Sequence, residues 1–444
     1  MKVYFYTLGC RVNQYETDAA RELFLRRGYE SADDPEDADI IVVNTCTVTG
    51  EADRKSRQHL RKMARIRPDA VIVAMGCATE MTEGVVEADV VLGTRDKNLI
   101  VDKTEEFLSS AALQESRERA FPTTRPEVTK SDVYHDFGTV LSPEGTRAFI
   151  KIEDGCDAFC SYCIIPFARG RVASRSFESI KEEVSFLASK GFREISVSGI
   201  HLCSYGKDRG EDITALYEVL KMISGTEGIE RIRLGSLEPM SMTPSFIDSL
   251  RDLKGLCPHF HLSLQSGSDT VLKRMNRKYD TRQYLERVAL LREAFPSMTL
   301  TTDIICGFPG ETDAEFDETV KFVGKAGINR IHVFPYSVRE GTRAAQMEQL
   351  PAGTAKKRVA VLTEVSSAAE REHAASFTGK TREVLAEKVI FEDGEKTVEG
   401  YIPEYVRIRV KCPSDVSVER GDIVSAEITE CDGTVLQSRF LGKR

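Results

Sequence analysis

The sequence predicts a multidomain α/β protein. An open parallel α/β sheet comes first, a partial parallel αβ barrel follows, and a small all-β barrel ends the chain. Three observations carry this. The length, 444 residues, exceeds one ordinary hydrophobic core, so two or three domains are expected. Short, continuously apolar, β-rich segments alternate with helical spacing in two successive series, the pattern of parallel sheets covered on both faces. Beyond Gly379 the helical spacing stops, and short strands with turn residues take over.

Residues 3–8 form the first apolar segment. Residues 16–27 have helical spacing and stop at Gly28, which suits a helix C-cap. DIIVV at 39–43 reads as a buried strand, followed by a basic helix over 51–67. AVIVAM at 70–75 and residues 89–92 complete a domain placed at 1–112. Residues 113–144 contain ESRERAFPTTRPEVTKSD, which is polar, charged and proline-bearing and reads as a linker. From 145 to 376, strand candidates at 148–152, 194–197, 231–234, 259–264, 300–305 and 330–334 alternate with helices such as 179–190 and 282–294. A helix rich in Ala, Lys and Glu over 354–376 closes this series. Six strands with crossover helices predict a complete or partial barrel whose chemistry sits at the strand C-termini. TREVLAEKVIF, TVEGYIPEYVRIRVKC and DIVSAEITECDGTVLQSRF, with turns at EDGE and CDG, predict an OB-like barrel over 377–444. The chain shows no solenoid repeat and no low-complexity tract.

A hydrophobic content of 41% and a charged content of 30% describe a soluble globular protein. No stretch approaches the roughly 18 apolar residues of a membrane span. The N-terminus, MKVYFYTLGC, lacks the features of a signal peptide. A cytoplasmic protein without membrane association, its thiols reduced, is therefore expected. Its eleven cysteines are an odd number, which fits metal ligation plus buried thiols better than closed disulfides. The net charge of −9 gives no sign of nucleic acid, so charge has to be read locally.

CDAFCSYC brings Cys156, Cys160 and Cys163 onto the loop after the first barrel strand. Thiolates are soft ligands that select zinc or iron–sulfur clusters. One reading is a zinc site completed by a distant residue. The other is a four-iron cube held by three cysteines, which leaves one iron open to a reactant. Cys10, Cys46 and Cys77 form a second trio, each just after an apolar strand: VYFYTLGC, IIVVNTC, VIVAMGC. Such positions line the C-terminal edge of a parallel sheet, where ligands bind. The alternative is three buried structural thiols.

CxxxCxxC after the first strand of a six-strand barrel resembles the radical S-adenosylmethionine (SAM) enzymes. LGCRVNQYETD, NTCTVT and MGC, followed by GCDAFCSYCIIPFARGR and HLSLQSGSDTVLKRMNRKY, resemble the methylthiotransferases among them, over essentially the whole chain. The resemblance implies an N-terminal cluster domain, a radical SAM partial (β/α)6 barrel and a C-terminal TRAM domain. It implies two [4Fe–4S] clusters, with the two cysteine trios as metal ligands and catalytic centre, and SAM as cosubstrate. In that family the open iron of the core cluster binds the methionine part of SAM, and reduction yields a 5′-deoxyadenosyl radical. The second cluster carries the sulfur. Tyr162 then matches a slot whose backbone lies near adenine. Ser198 and Gly199 fall where the methionine amine is bound, and Ser236, Glu238, Gln265 and Gly307 follow the next three strands. Each of these also reads as ordinary loop chemistry or packing; glycine at 307 would suit close approach to a ligand.

Family members act on isopentenyladenosine in tRNA, on threonylcarbamoyladenosine in tRNA, or on an aspartate of a ribosomal protein. GCRVNQYE and CIIPFARGR are most similar to the threonylcarbamoyladenosine branch. The implied activity is methylthiolation at C2 of that nucleoside at position 37. The implied partners are the tRNA anticodon loop and an electron donor such as flavodoxin or ferredoxin. A non-catalytic iron–sulfur or RNA-binding protein is the reading from another class.

Cys203, Cys257, Cys306, Cys412 and Cys431 match no ligand pattern and read as ordinary thiols. Phosphate contacts are expected from Lys and Arg. Candidates are Arg54, Lys55, Arg57, Arg61, Lys62, Arg65 and Arg67 on the basic helix, then Arg169, Arg171 and Arg175, then Lys273, Arg274, Arg277 and Lys278. Arg407, Arg409 and Lys411 alternate along one strand of the last domain. A solvated surface is the plain alternative for each.

Overall fold

The computed structural model describes residues 1–81, 84–110, 121–123, 133–140, 145–351, 353–392 and 394–444. The N-terminal sheet has five parallel strands, in the order Glu30–Ser31, Lys2–Thr7, Ile40–Thr45, Val71–Gly76 and Val90–Val91. Ile40–Thr45 and Val71–Gly76 are central and buried along their whole length, so they read as unbroken apolar runs. The edge strand Glu30–Ser31 is two exposed residues without an apolar side chain, and no pattern marks it in the sequence. Helix Arg11–Arg26 starts well before the expected 16–27. Its first turns bury Asn13 and Glu16, polar residues that hide the amphipathic spacing.

Part of the expected linker is fastened down. Phe121–Thr123 pairs antiparallel with Gly84–Val86, and Phe137 and Val140 pack with Tyr15 and Ala19. The remainder of 113–144, apart from Val133–Val140, lies outside the described residues.

The core has six strands: Arg147–Lys151, Glu194–Ser198, Arg231–Leu234, His259–Leu262, Thr299–Cys306 and Arg330–Pro335. The first three pair in parallel, as do the last three. Ser236–Leu237 extends the third strand past Gly235 and pairs with the fourth, joining the two halves. Side chains alternate across each strand. Ala148, Ile150, Ile195, Val197, Ile232 and Phe260 point outward and are buried beneath the helices. Most inward positions are polar, among them Lys151, Glu194, Arg233, His261, Thr301 and Asp303, and they bond between neighbouring strands: Arg233 Nε donates to Glu194 at 2.9 Å. The barrel is partial, since no strand pairing among the described residues joins its first and sixth strands.

Residues beyond helix Thr354–Ala375 form a closed five-strand barrel in the order Thr381–Glu392, Glu395–Tyr401, Arg407–Cys412, Val435–Lys443, Ile423–Asp432, with its own apolar core. It docks at the strand N-termini of the core. Arg231 and Arg233 each donate to its backbone at 3.1 Å, at Tyr401 and Pro403, and Thr299 Oγ1 donates to Glu404 O at 2.6 Å. The N-terminal domain docks at the opposite end. It touches Lys151, at the end of the first core strand, and Ser337 and Arg339, beyond the sixth. It therefore spans the gap that the open barrel leaves. No described helix is long and apolar enough to cross a membrane.

Candidate active site

The core cysteine loop begins at Gly155, whose φ is +76° and where an added Cβ would lie 1.9 Å from Arg171 O. Only glycine permits that turn. The loop is pinned at its middle. Ser161 N donates to Met275 O at 3.0 Å, Ala344 N donates to Ser161 O at 2.8 Å, and Asn276 Nδ2 donates to Phe159 O at 2.9 Å. Arg277 donates through one nitrogen to Cys160 Sγ at 3.3 Å and through another to Glu238 Oε2 at 2.7 Å. Burial raises the Cys156 thiol and pushes Cys163 up to about 12. As free thiols both would be protonated and unreactive; metal binding removes such protons.

The second trio lies on three neighbouring strands of the N-terminal sheet. Cys10, Cys46 and Cys77 follow the ends of Lys2–Thr7, Ile40–Thr45 and Val71–Gly76. Gly9 has φ +110°, and a Cβ there would stand 2.9 Å from Cys46 Cβ and 3.0 Å from its sulfur. Asn13 ties the loops together. Its amide donates to Leu8 O at 2.8 Å and Thr45 O at 3.0 Å, and its oxygen lies 3.7 Å from Cys10 Sγ. Arg169, from the core, donates to Cys77 Sγ at 3.2 Å and to Asn13 Oδ1 at 2.8 Å. Burial lifts the Cys77 thiol to about 11, against the pull of Arg169 and Lys97.

Beside this trio is a buried ionic cluster. Glu16 takes Lys97 at 2.5 Å, and Lys151 and Arg169 at 2.8 Å each. Asp154 takes Arg169 at 3.0 Å and also pairs with Lys151. Burial alone would raise the Glu16 carboxyl; the three cations hold it well below the usual carboxylate range. Three cations against two carboxylates leave one positive charge in excess next to Cys77, which suits an anionic thiolate cluster. The two trios are close neighbours, since Ile164, next to Cys163, and Ala168 share one apolar cluster with Cys77 and Met81. Among the described residues no three His, Cys, Asp or Glu side chains gather tightly enough for a single metal ion. A four-iron cube spreads its thiolates more widely than one zinc ion does. Free soft donors in threes, each set with an arginine on one sulfur, fit such a cube.

The other expected residues divide. Glu238 reaches the core trio through Arg277. Ser236 is exposed near the top of the barrel. Gln265 adopts φ +72° and bridges to Ile304, a strained non-glycine turn at the end of the fourth strand. Gly199 admits Glu153, whose Oε2 would lie 2.6 Å from an added Cβ. Ser198 donates to Ile150 O at 2.9 Å, so its hydroxyl serves the barrel. The Tyr162 side chain packs with Val271, Met275 and Phe308. At Gly307 the close approach is to protein: a Cβ would meet Ala355 Cβ at 2.6 Å. The phosphate assignment fails for Arg169, Arg175 and Arg277, which are buried in ion pairs. Arg274 is bonded to Glu315 at 2.8 Å. On the basic helix, Arg54, Lys55, Arg57, Arg61, Lys62 and Arg65 are exposed, and so are Arg407, Arg409 and Lys411.

Sequence reading passed over Glu153. Its Oε2 accepts from His201 N at 2.8 Å, its Oε1 is buried without a partner, and burial raises its carboxyl to about 8. The position three residues before Cys156, on the strand entering the loop, was the available signal.

Residues 150–323 match the radical SAM superfamily, and residues 2–93 match the family described as Uncharacterized protein family UPF0004. Threonylcarbamoyladenosine tRNA methylthiotransferase MtaB of Bacillus subtilis is 36% identical across 99% of this chain and 96% of its own length. The protein of that name from Aquifex aeolicus is 38% identical over 90% and 96%. The chain belongs to the radical SAM methylthiotransferase family. A tRNA-2-methylthio-N(6)-dimethylallyladenosine synthase of Acetivibrio thermocellus is 35% identical over 86% of this chain and 80% of its own. The radical SAM methyltransferase TsrM of Kitasatospora setae shares the fold, with a TM-score of 0.53 at 17% identity over 75% of this chain and 72% of its own. As a radical SAM methylthiotransferase, the chain uses SAM and an iron–sulfur cluster.

Proposed function

We propose that this methylthiotransferase converts N6-threonylcarbamoyladenosine at position 37 of tRNA to its 2-methylthio derivative, with one [4Fe–4S] cluster at each cysteine trio. The observation that carries the reading is the adjacency of the trios, one on each domain, joined by Arg169. C2 of adenine bears a non-acidic hydrogen that general bases cannot remove near neutral pH. The cluster at Cys156, Cys160 and Cys163 supplies one-electron chemistry to SAM when bound. Arg277 and Glu238 fix the Cys160 side of that site. Arg169 and Asn13 fix Cys77 and Cys10 on the sulfur-bearing side.

The threonylcarbamoyl branch is favoured by the MtaB relatives, which match nearly the full chain. The dimethylallyladenosine synthase relative supports a second reading in which only the N6 substituent differs. Nucleoside analysis of tRNA from cells lacking the gene decides: loss of the 2-methylthio form of threonylcarbamoyladenosine is expected, and loss of only the isopentenyl form would refute the reading. In the purified enzyme, Cys160→Ala should abolish deoxyadenosine formation. Cys46→Ala should leave SAM cleavage largely intact while stopping methylthiolation.

A further inference from the structure

The seam between the N-terminal domain and the sixth core strand holds an arginine without an acid. Arg339 lies just beyond Arg330–Pro335, at the C-terminal end of the barrel where the chemistry is placed. It donates to the Thr47 hydroxyl, one residue from Cys46. Its neighbour Ser337 accepts from Gly50 N at 2.8 Å, so the loop is clamped to the cysteine loop of the other domain. Arg339 has no carboxylate partner among the described residues, and its Nε is buried without an acceptor. The surrounding arginines of the site, Arg169, Arg277 and Arg274, all have one. The guanidinium is also within charge range of the Cys46 sulfur.

Val48 and Val338, each next in sequence to one end of the Arg339–Thr47 contact, are apolar yet 47% and 52% exposed. Exposed apolar side chains on both sides of a charged group suit a base that carries a charged substituent. A half-buried unpaired guanidinium between them is a receptor for a planar anion.

We propose that Arg339 binds the carboxylate of the threonylcarbamoyl substituent and so selects that nucleoside over its apolar counterpart. This rests on the threonylcarbamoyladenosine reading above. C2 and N6 belong to one six-membered ring, so a base presenting C2 to the Cys46 side carries its N6 substituent along the same seam. An isopentenyl group would leave Arg339 buried against hydrocarbon, a mismatch that a site built for a charged partner rejects strongly.

The test is equilibrium binding of three anticodon stem–loop RNAs to the reconstituted full-length enzyme, read by fluorescence anisotropy. The RNAs carry threonylcarbamoyladenosine, its threonine amide, or plain adenosine at position 37. Wild type should bind the acid about 10–100-fold more tightly than the amide. Arg339→Gln should bring the acid and amide within about twofold, and Arg339→Lys should keep part of the preference, as a point charge without the fork. Thermal midpoint and iron content confirm that each variant is folded and loaded. An unchanged preference in a folded Arg339→Gln protein, or in Arg339→Lys relative to wild type should Arg339→Gln not fold, overturns the assignment alone. Equal binding of all three RNAs by wild type overturns the threonylcarbamoyl reading, and this assignment with it.

Discussion

Arg169 Nε and Cys77 Sγ stand 3.2 Å apart across the boundary between the core and the N-terminal sheet. The arginine is fully buried, and it also joins Glu16 of the N-terminal domain to Asp154 of the core. It thus sets the distance between the two cysteine trios while donating to one of their sulfurs.

Arg169→Gln should therefore destabilise the chain strongly, because Glu16 and Asp154 lose a buried partner. A loss of about 3–5 kcal/mol is expected in chemical denaturation. Arg169→Lys keeps the charge and should lose about 1–3 kcal/mol, from the missing bidentate bonds. In the loaded protein, the Gln variant should also lower the midpoint potential of the N-terminal cluster, since donors to cluster sulfur favour the reduced form. A variant with unaltered stability and potential would remove Arg169 from this role.

Arg277 is the counterpart on the core trio, placed on Cys160 and held by Glu238. Arg277→Gln should slow deoxyadenosine formation about 10–100-fold, as loss of a partner to a ligand does. Glu238→Gln, which keeps a hydrogen-bond acceptor for Arg277, should cost less. Single-turnover SAM cleavage checks the order, and the reverse order contradicts this arrangement.

The junction between the core and the C-terminal barrel should weaken in acid. His373 is half-buried against Thr299 at 2.7 Å, and that burial, aided by Lys380 and Arg292, lowers its value to about 4. Burial and Arg233 lower His259 as well. The Thr299 proton goes to Glu404 O, so neutral His373 supplies the hydrogen between them. Histidines depressed in the fold bind protons preferentially when unfolded. Their contribution is fully present above the ordinary value of about 6.5 and is lost as pH falls toward about 4. Thermal midpoints of wild type should drop over that window more steeply than those of His259→Gln/His373→Gln. Parallel profiles would contradict the assignment.

How much of this the sequence reveals depends on what decides each feature. The grouping of Cys10, Cys46 and Cys77 is legible because each follows an apolar run, and parallel-sheet topology places the three on adjacent strand ends. Continuous apolar runs reveal the central strands for the same local reason. The arginines are different. Arg169, Arg175 and Arg277 read as a phosphate-binding surface, yet each is buried by partners far away in sequence, namely Glu16, Tyr15 and Glu238. Gly307 reads as a ligand contact, while Ala355 of the closing helix is what it accommodates. The start of helix Arg11–Arg26 is hidden because the site buries Asn13 and Glu16 where a plain helix would bury apolar side chains. Long-range pairing, which one chain's local pattern does not encode, accounts for each of these.

The central claim is that two separate thiolate trios each hold a four-iron cluster. Iron and acid-labile sulfide per chain, measured after anaerobic reconstitution, test it most directly. Wild type should carry about eight irons, and both Cys10→Ala/Cys46→Ala/Cys77→Ala and Cys156→Ala/Cys160→Ala/Cys163→Ala should carry about four. About four irons in wild type, unchanged in the N-terminal triple variant, would contradict it.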